Sequence, residues 1–397
     1  MDGKQTAVSR RGFLETASSA SLAGLLGSAV PARADLGSDR KIRIGVVGGG
    51  FGASFQWHLD PNCIVQAVSD LRTDRRAHLQ RVYQCERAYE SLEQLVLDPQ
   101  IDAVAVFTGA PDHARHTIEC LKHDKHAMVA VPACLTLDEA ALLKETAEQT
   151  GLKYMMAETS YYRTPTIFAR ELWADGVFGD FLYSEVEYYH HASKEIGTSS
   201  LWWYEGERTW RYAFPPMLYV THSSGFHVGV TRERYTHVSA LGWGPDHEAY
   251  RDNAYDNPFN NMVGLFKTDR GNISRCNVCW HLHAAGERAQ WLGQFASLYM
   301  SSRSGQPFVL QRQGHPEIRS EPDYTPLLPE PMRVGGGHGG SHPFLTHEFI
   351  AALVQDRQPA IDIYESLAMT VPGIVANESA RRGGEQLKVP CFDPASA

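Results

Sequence analysis

The stretch from residue 42 to residue 70 constrains the fold more than any other. Ile42-Arg43-Ile44-Gly45-Val46-Val47 is a short apolar run that reads as a buried parallel strand. Gly48-Gly49-Gly50-Phe51-Gly52-Ala53 follows at once and fits G-x-G-x-x-A on Gly48, Gly50 and Ala53. A helix is expected next, then a second strand from Ile64 that closes on Asp70, 20 residues after Gly50. Strand, glycine turn, helix, strand and acid in that order specify a Rossmann unit that binds a dinucleotide. Gly48, Gly50, Phe51 and Gly52 form the expected pyrophosphate turn, with a helix N-terminus to attract its charge. Asp70 accepts from a ribose hydroxyl and repels a 2′-phosphate. NAD is therefore expected ahead of NADP, and the nearby Arg72 keeps NADP as the second choice.

The βα rhythm continues. Ile101 to Thr108 reads as a strand, and Pro111-Asp112-His113 opens a helix. Ala127 to Val131 is another strand, Leu137 to Gln149 a helix closed by Gly151, and Tyr154 to Ala157 a further strand. This predicts an α/β fold with a doubly wound parallel sheet ending near residue 160. After a helix from Thr164 to about Asp175 the pattern changes. Leu182 to Tyr188, Val238 to Leu241 and residues 272–283 alternate with period two, which predicts an α+β second domain on an open, mainly antiparallel sheet. Helices return at Pro343 to Val354 and Ser366 to Ala380, and residues 316–340 read as loop. An uncovered apolar sheet face is a liability, so a homo-oligomer is expected.

The net charge of −9 argues against a nucleic-acid partner, whose phosphates need a basic surface, and is indifferent to a neutral substrate such as a sugar. Seven scattered cysteines form no disulfide framework. Cys276 and Cys279 sit three apart in a strand, on opposite faces, and His190 and His191 have no spaced partner, so no metal site is expected. Ser9-Arg10-Arg11-Gly12-Phe13-Leu14, a weakly apolar stretch to Val30 and Ala32-Arg33-Ala34 together resemble a bacterial twin-arginine export signal. The expected layout is thus a leader at 1–34, a dinucleotide-binding domain at 40–160, and a substrate-binding and oligomerisation domain at 161–397, in a periplasmic or secreted protein with no membrane span.

The chain resembles the Gfo/Idh/MocA oxidoreductases on Gly48 to Gly52, on Phe107-Thr108-Gly109-Ala110-Pro111-Asp112-His113, on Lys125 to Pro132 and on Ile363 to Leu367. That resemblance adds Thr108, Pro111, His113 and Pro132 to the cofactor-binding residues. Members usually carry Glu-Lys-Pro, with the lysine assisting proton transfer at a sugar hydroxyl. This chain has Ala130-Val131-Pro132, and Val131 cannot move a proton.

The departure is similar to the NAD-dependent glycoside hydrolases related to that family, typified by α-N-acetylgalactosaminidases. Val131-Pro132-Ala133, Met155 to Arg163, the Tyr-x-x-His motif Tyr219 to His222 and the His-Gly-Gly loop Gly336 to Gly340 carry the similarity. It departs at Ala130, where they keep an acid, and at Ser223-Ser224-Gly225, where they keep a glycine run. It implies His222, Tyr219 and Tyr162 as catalytic proton carriers. Glu158, at a strand's C-terminal end, and His338, among five glycines, are expected to meet substrate. Trp202, Trp203 and Trp210 suit a sugar platform or a core equally.

The implied activity is glycoside cleavage on a held NAD by transient oxidation at C3, elimination across C1 and C2, addition of water and re-reduction. The alternatives are a sugar or cyclitol oxidoreductase with net redox turnover, and a sugar-binding protein without catalysis.

Overall fold

The structure, a computed structural model, describes residues 8–9, 40–191, 201–284, 286–302 and 305–394. Apart from Val8 and Ser9, the expected export leader lies outside the described residues.

The first half of the chain runs β1 (Ile42–Val47), β2 (Cys63–Ser69), α1 (Thr73–Tyr83), β3 (Ala88–Tyr89), β4 (Ala103–Val106), α2 (His113–Lys122), β5 (His126–Val129), α3 (Leu137–Thr150) and β6 (Tyr154–Met156). Its six strands are all parallel, in the order β3-β2-β1-β4-β5-β6. This is the doubly wound order with its switch point between β1 and β4, where open α/β sheets bind ligands at their carboxyl ends. Local chemistry agrees with each boundary. α3 starts in a capping box between Thr136 and Glu139 and stops at Gly151, whose φ of +64° only glycine adopts at no cost.

One expectation fails. No regular helix follows the glycine turn. Phe51–Ser54 and Trp57–Leu59 form two short 3-10 turns instead. Phe55 and Trp57 are drawn into the core, 1% and 0% exposed, and Phe55 stacks on Phe107 with ring centroids 4.4 Å apart. Burial of two large rings here overrides the helical pattern.

The second half adds α4 (Thr164–Ala174), β7 (Leu182–His191), a small hairpin β8 (Trp203–Tyr204) and β9 (Glu207–Arg208), α5 (Thr221–Thr231), β10 (Tyr235–Trp243), β11 (Asn261–Thr268), β12 (Ile273–Leu282), β13 (Gly286–Gly293), β14 (Ala296–Tyr299), β15 (Val309–Arg312), β16 (His315–Ile318), α6 (Gly337–Val354), α7 (Ile363–Arg381) and β17 (Leu387–Lys388). Nine of these strands form one sheet, β16-β15-β14-β13-β7-β12-β11-β10-β17. Every pairing is antiparallel except β7 with β12.

α5 packs on the inner face and is buried along its whole length. The outer face stays open. Leu241, Trp243 and Leu265 are exposed there, beside ion pairs that link Arg275 to Glu185 and Glu187, and Arg288 to Glu187. The two halves share one continuous core, and the Met156 amide at the end of β6 donates to Ile361 O just before α7.

The tightest point of the first sheet is Gly48. Its φ is +100°, and a Cβ there would lie 2.2 Å from the Phe107 carbonyl oxygen. Gly48→Ala should lower stability by about 3 kcal/mol and abolish dinucleotide uptake, as read by thermal melting and by titration with NAD. Unchanged melting and binding would show that the turn tolerates a side chain.

Candidate active site

The glycine turn is built for a close approach. Besides Gly48, a Cβ on Gly49 would meet Arg75 O at 2.5 Å, and one on Gly52 would meet the Phe107 ring at 2.9 Å. Gly50 is open, with the Arg75 guanidinium nearest at 3.6 Å, so a cation flanks the place where phosphates would pass. Asp70 accepts from the Gly49 amide at 2.6 Å and from the Arg72 amide at 2.8 Å. Arg72 is engaged elsewhere, paired with Asp74 at 2.8 Å and lying 3.7 Å over the Tyr204 ring.

His113 is 1% exposed and lies between the carbonyls of Pro132 (Nδ1, 2.7 Å) and Thr108 (Nε2, 3.1 Å). Burial brings it down to about 4, and as a neutral ring it has one N–H to donate, which the shorter contact assigns to the Pro132 carbonyl. Pro111 is exposed beside it. Glycines that only a bare backbone can fill, an acid at the turn and a flanking guanidinium fit a dinucleotide. With only a 3-10 turn after the glycines, backbone amides and Arg75 must do what a helix N-terminus was expected to do.

Across the crevice lies a buried ion pair. Glu158 follows β6, and His222 lies in the first turn of α5. The His222 Nδ1–H donates to Glu158 Oε1 at 3.0 Å, and the Ser160 amide donates to the same oxygen at 2.8 Å. Glu158 is 0% and His222 3% exposed. Burial is the largest single influence and opposes charge on both, but the partner's charge and the hydrogen bonds together outweigh it: Glu158 is lowered and His222 raised from their ordinary values. Glu158, expected to meet substrate, is fully buried behind His222 in this structure.

His338 stacks on His222 with centroids 5.9 Å apart and planes 14° from parallel. The first turn of α6 that carries it is kinked, with left-handed backbone at His338, Gly339 and Gly340, and closely packed. A Cβ on Gly336 would strike Pro343, on Gly337 the His342 ring, and on Gly339 the Arg163 guanidinium. Arg163 in turn pairs with Glu287, 3% exposed, at 2.7 Å.

Tyr219 meets His222 at 5.1 Å between ring centroids. Tyr188 (4.6 Å from His222), Trp280 (5.8 Å from Tyr219) and His190 (5.7 Å from Trp280) complete an aromatic wall. The alternation of β7 carried a signal for two of these, because Tyr188 and His190 share a face with the buried Val186. Trp280 and Arg163 carried none, since strand pairing and loop packing bring them in. Trp210 packs against Gly109 and T-stacks on Phe214, Trp202 belongs to a separate small core, and Trp203 is exposed. Arg211 lies 4.1 Å over Trp210 and 5.7 Å over Tyr219.

One expected catalytic residue stands apart. Tyr162 is buried and turned the other way, stacked on Phe344, with burial and the nearby Glu348 raising its hydroxyl well above its usual value. It joins neither His222 nor Tyr219. Ala130 and Val131, at 7% and 4% exposure, form an apolar end to β5.

Comparison with known proteins fits this architecture. Residues 42–158 match the profile of the oxidoreductase family Gfo/Idh/MocA, NAD-binding Rossmann fold, and residues 327–396 match that of the glycosyl hydrolase 109 C-terminal domain. The chain is thus similar to Gfo/Idh/MocA oxidoreductases over its first domain and to glycosyl hydrolase 109 proteins at its C-terminal end. It is an enzyme. A glycosyl hydrolase family 109 protein of Solibacter usitatus is 25% identical over 97% of both chains. Another from Akkermansia muciniphila is 30% identical over 48% of this chain and 42% of its own. Among solved structures, levoglucosan dehydrogenase in complex with NADH and levoglucosan superposes with a TM-score of 0.73 at 16% identity, covering 88% of this chain and all of its own. Aldose-aldose oxidoreductase from Caulobacter crescentus gives 0.71 at 16%, covering 88% and 100%. Both are similar in fold.

The site makes stability depend on pH in a stated direction. His338 is lowered to about 3 by burial and by its His222, His342 and Arg163 neighbours, and His190 and His113 are lowered to about 4, chiefly by burial. As pH falls from the ordinary 6.5 toward these values, the unfolded chain binds protons that the native chain refuses, so stability drops. The Glu158–His222 pair works differently. Its His222 share is complete below 6.5 and is lost as pH rises through the raised native value. Its Glu158 share is complete above the ordinary carboxylate value and is lost as pH falls through the lowered one. Glu158→Gln should cost about 2 kcal/mol near neutral pH and remove the alkaline loss, measured by melting across pH. An unchanged alkaline limb would contradict the pairing.

Proposed function

We propose that this enzyme cleaves glycosides on a bound NAD by transient oxidation at C3, elimination of the aglycone across C1 and C2, addition of water and re-reduction. The observation that carries this reading is the packed cluster of His222, His338 and Tyr219 with Glu158 buried behind His222, while the lysine position usual for simple dehydrogenases is occupied by buried Val131. Proton-moving groups have been taken from the first domain and supplied by the second. The glycosyl hydrolase 109 match at the C-terminus supports the same direction.

Bound NAD supplies a place for the C3 hydride to go and to return from. The chain does the rest. Asp70 beside the glycine turn favours NAD over NADP, because its carboxylate would meet a 2′-phosphate. Tyr188, Tyr219 and Trp280 offer faces to a sugar ring. His222 stands where a proton can be moved at the ring, with Glu158 fixing its orientation. A redox-neutral cycle also suits the exported location that the leader implies, where no dinucleotide pool is at hand.

The test is release of aglycone from a panel of aryl glycosides in heavy water. The expected result is cleavage with deuterium entering at C2 of the released sugar. Cleavage without C2 exchange would reject the elimination route. Steady turnover of free sugars with no cleavage would make the enzyme a net oxidoreductase.

A further inference from the structure

The two stacked histidines differ in what their second nitrogens can do. A hydrogen-bond chain sets this. His342 Nδ1 lies 3.0 Å from the Ser54 carbonyl oxygen, which can only accept, so Nδ1 carries the proton. In the neutral ring, His342 Nε2 then accepts. It lies 2.9 Å from His338 Nδ1, which must therefore donate. His338 is left with Nε2 as a lone pair, with no protein partner among the described residues. His222 is the reverse. Its Nδ1 donates to the fully buried Glu158, and its Nε2 also has no protein partner among the described residues. Backbone geometry holds the arrangement, since His338 sits at a φ of +49° between glycines whose neighbours leave no room for a Cβ.

We propose that His338, through Nε2, is the base that removes the C2 proton, and that His222, through Nε2, is the acid that protonates the departing aglycone oxygen. The assignment rests on the transient-oxidation reading above and goes beyond it by dividing the proton work between two residues. In the 3-keto sugar, the C2–H electron pair becomes the C1=C2 π bond as the proton passes to His338. The C1–O pair leaves with the aglycone oxygen, which takes the His222 proton. Water then adds: its oxygen bonds to C1, one of its protons restores His222, and His338 returns a proton to C2. The sum of these steps is 3-keto glycoside plus water giving 3-keto sugar plus alcohol, with both histidines regenerated; return of the hydride to C3 then gives the free sugar.

The surroundings of His338 keep its resting ring neutral. Burial first, then His222 from α5, His342 from α6 and Arg163 after β6 disfavour a proton on it, and only Glu158 opposes them. The same neighbours weaken it as a base, and transfer of the His222 proton to the aglycone removes one of those repulsions as His338 takes its own. Environments that push two titratable groups apart mark which is acid and which is base. His342 also stacks on Phe55 at 4.4 Å with planes 5° apart, so the relay is anchored beside the dinucleotide turn.

The test compares His338→Gln, His222→Gln and His342→Phe, the last keeping the ring stack while removing the relay. All three should melt as cooperative units and bind NAD. In the wild type, ¹⁵N NMR of histidine-labelled protein should find His338 neutral with its proton on Nδ1, and His222 protonated on both nitrogens. With aryl glycosides in heavy water, His338→Gln should lose C2 exchange by about 10²–10⁴-fold, while C3 deuterium in the substrate still moves off and returns. His222→Gln should keep C2 exchange and lose cleavage of poor leaving groups most. His342→Phe should lower kcat with KM unchanged and move the acid limb of the pH profile. C2 exchange at the wild-type rate in His338→Gln would overturn the assignment, as would a protonated His338 by NMR. A wild type that cleaves with no C2 exchange would instead refute the elimination mechanism itself.

Discussion

A fully buried carboxylate and a nearly buried imidazole hold the crevice together. Glu158 comes directly after the last strand of the parallel sheet, and His222 opens the helix that lines the inner face of the nine-stranded sheet. Their contact therefore crosses from one half of the molecule to the other. Burying two charges costs several kcal/mol each before attraction is counted, and well-packed apolar residues would often serve stability as well. What apolar residues would not supply is a histidine with one nitrogen pinned and the other open at the carboxyl ends of the Rossmann strands.

The constraint spreads outward through glycine. Gly225, one turn along α5, would place a Cβ 2.5 Å from Ser160 Oγ and 2.9 Å from Glu158 Cγ. Gly339 is needed by Arg163, and Gly109 by the Trp210 ring. These positions are small because a neighbour's side chain or backbone fills the space.

Much of this was legible in the chain. Gly48, Gly50, Gly52 and Asp70 announced the dinucleotide turn because the motif encodes a backbone shape. Tyr219 and His222 were visible as a spaced pair on one helical turn, and the alternation of β7 announced a sheet with one open face. Other features were hidden for physical reasons. The helix expected after the glycines gave way to the burial of Phe55 and Trp57, which a local pattern cannot foresee. β11 and β13 to β16 were missed: β14 to β16 are only four residues each, and β11 and β13, eight residues each, carry charged or polar residues that blur their alternation. Tyr162 shares a motif with Glu158 but turns toward Phe344, since a 3-10 turn over Thr159–Tyr162 rotates it out of register. The Ser54–His342–His338 relay joins residues 288 positions apart, and only packing brings them together.

In the proposed cycle the C3–H bond breaks and re-forms during cleavage of a bond two atoms away. An aryl glycoside deuterated at C3 tests it most directly. The account predicts slower aglycone release than for the unlabelled glycoside, with the deuterium recovered at C3 of the released sugar. Aglycone release at the same rate for both glycosides, with C2 never exchanging, would contradict it.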